Sequence, residues 1–123
     1  MPDVADHYLA EKVAAATPAE LTGMLFDKAV ISLKRAQGHL AAGDFETAAG
    51  RLSNASAVVL ELRGTLNPAA GEIAGRLGSL YEWVTSRILL ASSRRDPARV
   101  QEALDVLVPL QGAWREACIG IPV

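Results

Sequence analysis

Residues 17–27, TPAELTGMLFD, mark the start of the first helix and set the architecture of the chain. Thr17 occupies an N-cap position, Pro18 suits the first helical position, and Glu20 can return a hydrogen bond to the Thr17 amide, which together make a capping box. From there apolar residues recur every three or four positions through Leu40, which is the helical period. The stretch therefore predicts a long helix that ends before Gly43.

Three further apolar stripes predict three further helices. One follows an N-cap at Asp44 and ends at Asn67-Pro68, the next follows Gly71, and the last follows Asp96-Pro97. Because the connections are short, consecutive helices run antiparallel. We predict an all-α protein, an antiparallel up-down four-helix bundle over residues 17–117, with residues 1–16 as an N-terminal cap segment that packs on it and residues 118–123 as a C-terminal tail. The stripes contain Leu21, Met24, Leu25, Ala29, Leu33, Ala36 and Leu40; Phe45, Ala48, Leu52, Ala55, Val59, Leu62 and Leu66; Ile73, Leu77, Leu80, Val84, Ile88 and Ala91; and Val100, Ala103, Leu104, Leu107, Leu110 and Trp114.

Composition limits the function classes. The 123 residues fit one domain, and 50% apolar against 5% aromatic residues predicts a core of Leu, Val, Ile and Ala. A net charge of -2 gives no general attraction to nucleic acid or to anionic membranes, and no apolar run approaches the roughly 20 residues that span a bilayer. The single Cys118 cannot form an internal disulfide, so we expect a cytoplasmic protein.

Glycines and one proline disturb the predicted helices. Each helical glycine costs about 1 kcal/mol relative to alanine, and Pro109 removes a backbone donor inside the fourth helix, where it predicts a kink. The glycines indicate either close helix packing or a grooved surface. They are Gly23, Gly38, Gly50, Gly64, Gly75, Gly78 and Gly112.

Apolar residues off the four stripes exceed what one core needs. They indicate either helices with broad buried faces or a groove for a partner. Small residues on the second and third helices favour the groove, because an amphipathic helix can approach closely there. The off-stripe residues are Phe26, Val30, Ile31, Val58, Leu60, Tyr81, Trp83, Leu89, Val106 and Val108; the small residues are Gly50, Ser53, Ala57, Ala74, Gly75 and Gly78.

The N-terminal segment has an apolar side of its own, with Val4, Tyr8, Leu9 and Val13. It can lie in such a groove as a plug, or it can be a frayed tail whose aromatic ring packs on the bundle.

Catalytic and metal-binding patterns are absent from the sequence. His7 and His39 lack the spacing of zinc or di-iron sites, and no nucleophile elbow or phosphate-binding loop occurs. We therefore expect no enzyme, no metal and no cofactor. One alternative is that His39, in the segment HLAAG, is similar to the His-x-x-Lys-Gly segment of histidine phosphotransfer bundles, although Ala42 stands where that family has its lysine.

Several segments share a pattern that covers nearly the entire chain, from about Tyr8 to Trp114. In order they are TPAEL with MLFD at residues 17–27, LRGTL at 62–66, GEIA at 71–74 with Leu77, Leu80 and Tyr81, and a closing Ala113-Trp114. Together they resemble the flagellar secretion chaperone family, FliS. The chain departs from the family pattern at Phe26, Lys28, Asn67, Ala70 and Pro109, changes that bear on affinity and helix geometry.

The resemblance implies a cytoplasmic export chaperone that binds the disordered C-terminal segment of flagellin, prevents premature polymerisation and delivers it to the flagellar type III export apparatus. Further partners would be the export apparatus and regulatory proteins, and the chaperone would be a monomer or a weak homodimer. It also implies that Tyr8 lies on a segment that covers part of the groove in the free protein and moves aside for the client. A helical adaptor for another client stays open. We predict these partner-binding residues: Tyr8, Val13, Ala57, Leu60, Gly78, Tyr81, Val106 and Leu110.

Overall fold

The computed structural model describes residues 16–120, with side chains as far as residue 117. It contains four long helices: α1 (Pro18–Ala41), α2 (Phe45–Gly64), α3 (Glu72–Arg94) and α4 (Pro97–Gly120). A short 3₁₀ helix, Pro68–Ala70, lies between α2 and α3. The predicted all-α architecture of four antiparallel helices is confirmed.

The helices form a closed arrangement. Each helix packs against its neighbours in the chain, and α4 packs back against α1. Every helix therefore has two flanking partners, so it buries a broad arc and not a single narrow line of residues.

Side-chain caps start three of the helices, as the sequence predicted. The Thr17 hydroxyl accepts from the Glu20 amide at 3.2 Å. The Asp44 carboxylate accepts from the Thr47 amide at 3.3 Å, and the Asp96 carboxylate accepts from the Ala98 amide at 2.9 Å. Each bond satisfies one amide that the first helical turn leaves without a partner.

Two tight turns connect the helices at one end of the bundle. Gly43 has φ +77° in the α1–α2 turn, a conformation that glycine adopts without steric cost. Arg95 has φ 53° in the α3–α4 turn, and its guanidinium lies 4.6 Å from the ring centroid of Phe45. This cation–π contact holds the two turns together.

The core consists mainly of Leu, Val, Ile and Ala, as predicted. Two aromatic rings join it, Phe26 from α1 and Tyr81 from α3, with centroids 6.4 Å apart. Its buried residues are Phe26, Ala29, Val30, Leu33, Ala36, Leu40, Ala48, Leu52, Ala55, Val58, Val59, Leu62, Tyr81, Val84, Ile88, Ala91, Val100, Ala103, Leu104 and Leu107.

Four of the off-stripe residues belong to broad buried helix faces, which is one of the two interpretations that the sequence leaves open. Phe26, Val30, Val58 and Tyr81 lie off the predicted stripes, and all four are buried in the core. The reason is that helices with two partners bury positions on both sides of the central stripe. Conversely, the stripe residues Leu21, Phe45, Ile73 and Leu80 are exposed. Of these, Leu21, Phe45 and Ile73 lie in the first turns of their helices, where fewer neighbours cover them.

The ends of α1 and α4 are joined by polar contacts around Trp114. Its indole N–H donates to the Ala19 carbonyl at 2.8 Å, and its ring lies 6.1 Å from that of Phe26, measured between centroids. Asp27 accepts from Gln111 at 2.7 Å and from Arg115 at 2.9 Å. The last turns of α4 are thus tied to the first turns of α1.

Two boundaries differ from the sequence-based expectation. The second helix ends at Gly64, before the predicted Asn67-Pro68, and Leu66 packs against the core from the connection. The predicted end of the bundle at residue 117 lies inside α4, which ends at Gly120. Pro109 lies within α4 without ending it, and its side faces solvent.

Candidate binding surface

A hollow between α2 and α3, the α2–α3 concavity, is the first candidate site. It has a volume of about 340 Å³, near the lower end of the roughly 300–1,000 Å³ typical of ligand pockets. Side chains from both helices line it: Ser53, Ser56, Ala57, Val59, Leu60, Arg63, Tyr81, Glu82 and Thr85.

The two charged side chains of the α2–α3 concavity and one of its hydroxyl groups already have partners. Arg63 and Glu82 form an ion pair across it at 2.5 Å. The Thr85 hydroxyl donates to the Tyr81 carbonyl at 2.9 Å. Burial raises the pKa of the Tyr81 phenol, so this side chain is neutral at physiological pH.

A larger and shallower depression, the α3–α4 furrow, lies on the other flank of α3. Its volume is about 860 Å³. Trp83 is 41% exposed, and the Arg87 guanidinium lies 5.2 Å from its ring centroid. Glu72 and Arg76 form an ion pair at 2.6 Å. The furrow is lined by Glu72, Gly75, Arg76, Ser79, Leu80, Trp83 and Val106.

Two other depressions are smaller than the α3–α4 furrow and have more polar rims. One lies between α1 and α4, beside Lys34, Gln37 and Asp105, with a volume of about 430 Å³. The other lies beside Phe45 and Arg95 at the turn end of the bundle, with a volume of about 310 Å³.

The structure brings some of the predicted partner-binding residues together. Ala57, Leu60 and Tyr81 line the α2–α3 concavity, and Val106 lines the α3–α4 furrow. Tyr81 is a buried core residue that also forms part of the wall of the concavity.

Other predicted residues lie elsewhere. Gly78 is half-buried, and a Cβ built there would lie 3.6 Å from Leu66. Leu110 is partly buried against the core. Neither lines the concavity or the furrow. Tyr8 and Val13 lie outside the described residues.

Sequence reasoning did not select Leu80 and Trp83, which provide the apolar surface of the furrow. The apolar period predicts Leu80 in the core, and Trp83 lies off the stripe. A tryptophan off the core stripe, one turn after the exposed Ser79 and beside Glu82, was the available signal for an exposed aromatic residue.

Nothing in residues 16–117 points to metal chemistry, since no group of three or more His, Cys, Asp or Glu side chains lies close enough together there to hold a metal ion. His39 lies in the last turn of α1, with Nδ1 3.4 Å from an Asp44 carboxylate oxygen. Among the helices that the structure describes, none has the length and apolarity that crossing a bilayer demands.

Comparison with known proteins gives a consistent result. A family described as "Flagellar protein FliS" matches residues 1–120. The flagellar secretion chaperone FliS of Salmonella typhimurium is 34% identical over 106 residues, which are 85% of this chain and 78% of that protein. The Bacillus subtilis protein of the same name is 27% identical over 110 residues, 89% of this chain and 82% of its own length. That of Vibrio cholerae is 25% identical over 104 residues, 84% and 76% of the two chains.

These matches span nearly the whole chain and agree with the resemblance found in its helix starts and stripes. The family consists of chaperones and not of enzymes, so the phosphotransfer alternative for His39 is set aside. The chain belongs to the FliS family of flagellar secretion chaperones.

Proposed function

We propose that this protein is a cytoplasmic export chaperone that binds the disordered C-terminal segment of flagellin, prevents its premature polymerisation and delivers it to the flagellar type III export apparatus. Membership in the FliS family supports the chaperone role. The identity of the client and its C-terminal segment are our inference, as are regulatory proteins as further partners and a monomeric or weakly dimeric state.

The observation that carries the proposal is the apolar surface on both flanks of α3. Leu60 is 67% exposed beside the α2–α3 concavity, and Leu89 on α3 is 69% exposed, one helical turn beyond Thr85 of that concavity. On the other flank, Leu80 and Trp83 are exposed in the α3–α4 furrow. Exposed large apolar side chains that lie in or beside surface depressions are typical of a binding surface.

The energetics of a disordered client agree with a surface of this kind. A client that orders on binding spends part of its interaction free energy on lost conformational entropy, and it recovers this by burying a long apolar contact. Two depressions on opposite flanks of one helix allow a client to contact the chaperone at two separated places. A binding site limited to one pocket would bury less apolar surface and would therefore offset less of the lost conformational entropy.

The charged side chains around these depressions contribute more to the choice of partner than to binding affinity or folding stability. Arg63–Glu82 and Glu72–Arg76 are exposed ion pairs at the edges of the concavity and the furrow. Such pairs contribute only about 0–1 kcal/mol each to stability. They keep the surface soluble and disfavour partners whose charges are misplaced.

The N-terminal segment would act as a displaceable lid in this proposal, with Tyr8 and Val13 as its apolar contacts. Both residues lie outside the described residues, so the proposal for the lid comes from the sequence and the family resemblance.

The test is titration calorimetry of the full chain with flagellin that has or lacks its C-terminal segment. We expect Leu60→Ser to weaken binding roughly tenfold, because the buried part of a leucine contributes about 1.5–3 kcal/mol. The free energy of unfolding should change by less than about 0.5 kcal/mol, since Leu60 is exposed in the free protein.

Ile31→Ser provides the matched control. Ile31 is a 49% exposed apolar residue of α1 that lines neither the concavity nor the furrow. Its replacement should leave the affinity for flagellin unchanged. Equal losses in both variants would refute the placement of the site, and binding that does not need the C-terminal segment would refute the proposed client segment.

A further inference from the structure

An ion pair joins α3 and α4 beside the end of the α3–α4 furrow that is nearer the turn between these helices. Arg87 lies one helical turn after Trp83 on α3, and Glu102 lies one turn before Val106 on α4. Residues four apart share a helix face, so the pair is in line with two side chains that line the furrow. Arg87 Nη1 lies 3.3 Å from Glu102 Oε2.

Arg87 has a second contact, with the indole of Trp83. Its guanidinium carbon lies 5.2 Å from the ring centroid, within the roughly 6 Å of a cation–π contact. A guanidinium is planar, so it can stack on an aromatic face while the N–H groups at its edge bind a carboxylate. One side chain thus connects the Glu102 carboxylate of α4 to the Trp83 indole of α3.

Glu102 is itself held in place by a second arginine. Its Oε1 lies 2.6 Å from Arg99 Nη1, and Arg99 Nε donates to the carboxylate of Asp96 at 3.3 Å. Both oxygens of the Glu102 carboxylate therefore have a cationic partner, and a rotation of this carboxylate would break at least one of the two contacts.

The Arg87–Glu102 pair is better shielded from water than the ion pair that also lines the furrow. The side chains of Arg87 and Glu102 are 24% and 32% exposed, whereas those of Arg76 and Glu72 are 75% and 79% exposed. Partly buried pairs are screened less than exposed ones. The pair therefore restrains Arg87 beside Trp83 in the free protein, although Trp83 itself is 41% exposed.

We propose that Glu102 is a positioning residue for client binding: through Arg87 it holds the Trp83 indole in the orientation in which an apolar side chain of the client packs on it. The inference rests on the proposed function, and it assigns one apolar client contact to the α3–α4 furrow. An aromatic side chain that is ordered before binding loses little conformational entropy when a partner covers it. Without Glu102, client binding would have to order Arg87 and Trp83 as well, and the affinity would fall.

The test is Glu102→Gln in the full chain, which keeps the size of the side chain and removes its charge. Titration calorimetry measures binding of the isolated flagellin C-terminal segment. We expect the dissociation constant to rise about three- to tenfold, the effect of having to order one or two side chains on binding.

A second measurement needs no client. The NMR order parameter of the Trp83 indole N–H should fall in Glu102→Gln, because the ring is less restrained. That of Trp114 should stay the same, since its indole N–H donates to the Ala19 carbonyl. The loss of one signal in Trp83→Leu identifies which indole is which.

The double variant Glu102→Gln, Trp83→Leu separates positioning from a general structural effect. If Glu102 acts through Arg87 on Trp83, its replacement should cause no further loss of affinity in the Trp83→Leu background.

Asp105→Asn is the matched control, because it also removes one carboxylate charge from α4. Asp105 accepts from Gln101 at 2.8 Å and lines the depression between α1 and α4, not the furrow. The affinity for the segment and the Trp83 order parameter should equal those of the unmodified chain.

Four results, each with normal binding by the unmodified chain, would overturn this inference and leave the proposed function in place. They are an affinity of Glu102→Gln within twofold of the unmodified chain, an unchanged Trp83 order parameter, an equal loss of affinity in the Trp83→Leu background, and an equal loss in Asp105→Asn. If the unmodified chain does not bind the segment at all, the proposed function is refuted, and the client contact inferred here is refuted with it.

Discussion

Gly23 and Trp114 show how a single side chain decides the contact between two helices. Gly23 lies inside α1, and a Cβ at this position would lie 3.3 Å from Trp114 Cδ1. This distance is shorter than ordinary van der Waals contact. The glycine lets the indole lie against the α1 backbone and donate to the Ala19 carbonyl. Of the two readings of the helical glycines, close packing applies here.

We expect Gly23→Val to lower the free energy of unfolding by about 1–3 kcal/mol, because the added methyl groups overpack the Trp114 contact. Urea unfolding followed by circular dichroism measures this. Gly38→Ala is the control within α1, since a Cβ there meets nothing within 4 Å. It should stabilise the protein by up to about 1 kcal/mol through helix propensity. A Gly23→Val protein as stable as the original would contradict the close-packing explanation.

At the scale of an element, the start of α2 depends on Asp44. Its carboxylate accepts from the Thr47 amide, and the pKa of Asp44 is lowered mainly by hydrogen bonding to the Thr47 side chain and then to this amide, with a smaller contribution from the nearby His39. A folded-state pKa below the unfolded value means that the ionised carboxylate stabilises the folded protein. The contribution is fully present above the unfolded pKa and is lost as the pH falls through the lower folded pKa.

We therefore expect Asp44→Ala to lower the melting temperature at pH 7, with the difference from the unmodified chain shrinking below pH 3.8, the ordinary value for this carboxyl. Thermal unfolding at pH 7 and at successively lower pH measures it. Asp44→Asn keeps a capping oxygen but cannot titrate. It should therefore lose less stability at neutral pH. A constant difference between Asp44→Ala and the unmodified chain at all pH values would contradict this account.

At the scale of the whole molecule, α3 lies between the α2–α3 concavity on one flank and the α3–α4 furrow on the other, and the bundle closes where α4 packs against α1. The ion pair between Arg87 and Glu102 holds α3 to α4 at 3.3 Å, and Arg63–Glu82 holds it to α2. The bundle is thus fixed around its core while α3 keeps an exposed apolar surface. This arrangement suits a scaffold that binds a flexible chain without changing its own fold.

The lid that we propose would cover part of this surface, and Tyr8→Ala tests it. If the segment competes with the client, removing its aromatic ring should tighten flagellin binding about two- to tenfold. The apparent dissociation constant equals the intrinsic constant divided by the fraction of open molecules, and this fraction rises when the lid is weakened. Titration calorimetry measures the affinity, and His7→Ala in the same segment is the control. A large loss of affinity in Tyr8→Ala would instead identify Tyr8 as a client contact.

The sequence by itself determined the helices, their caps and their order. Thr17, Asp44 and Asp96 bond to amides only two or three residues away, so their role is decided within one helical turn and can be read from neighbouring letters. The spacing of the apolar residues is also a local property, because it is read from residues three or four positions apart. The family resemblance also came from short segments, and it added the chaperone role.

Only the tertiary structure decided which apolar residues are covered. Periodicity gives the direction of a side chain around its own helix, but burial depends on what the neighbouring helices place opposite it. Tyr81 and Val58 are covered because their helices have partners on two sides, while Leu80, on the predicted stripe of α3, stays exposed at the edge of the furrow. The depressions on the two flanks of α3 arise from residues far apart in the chain, and a one-dimensional pattern does not contain the distances between them.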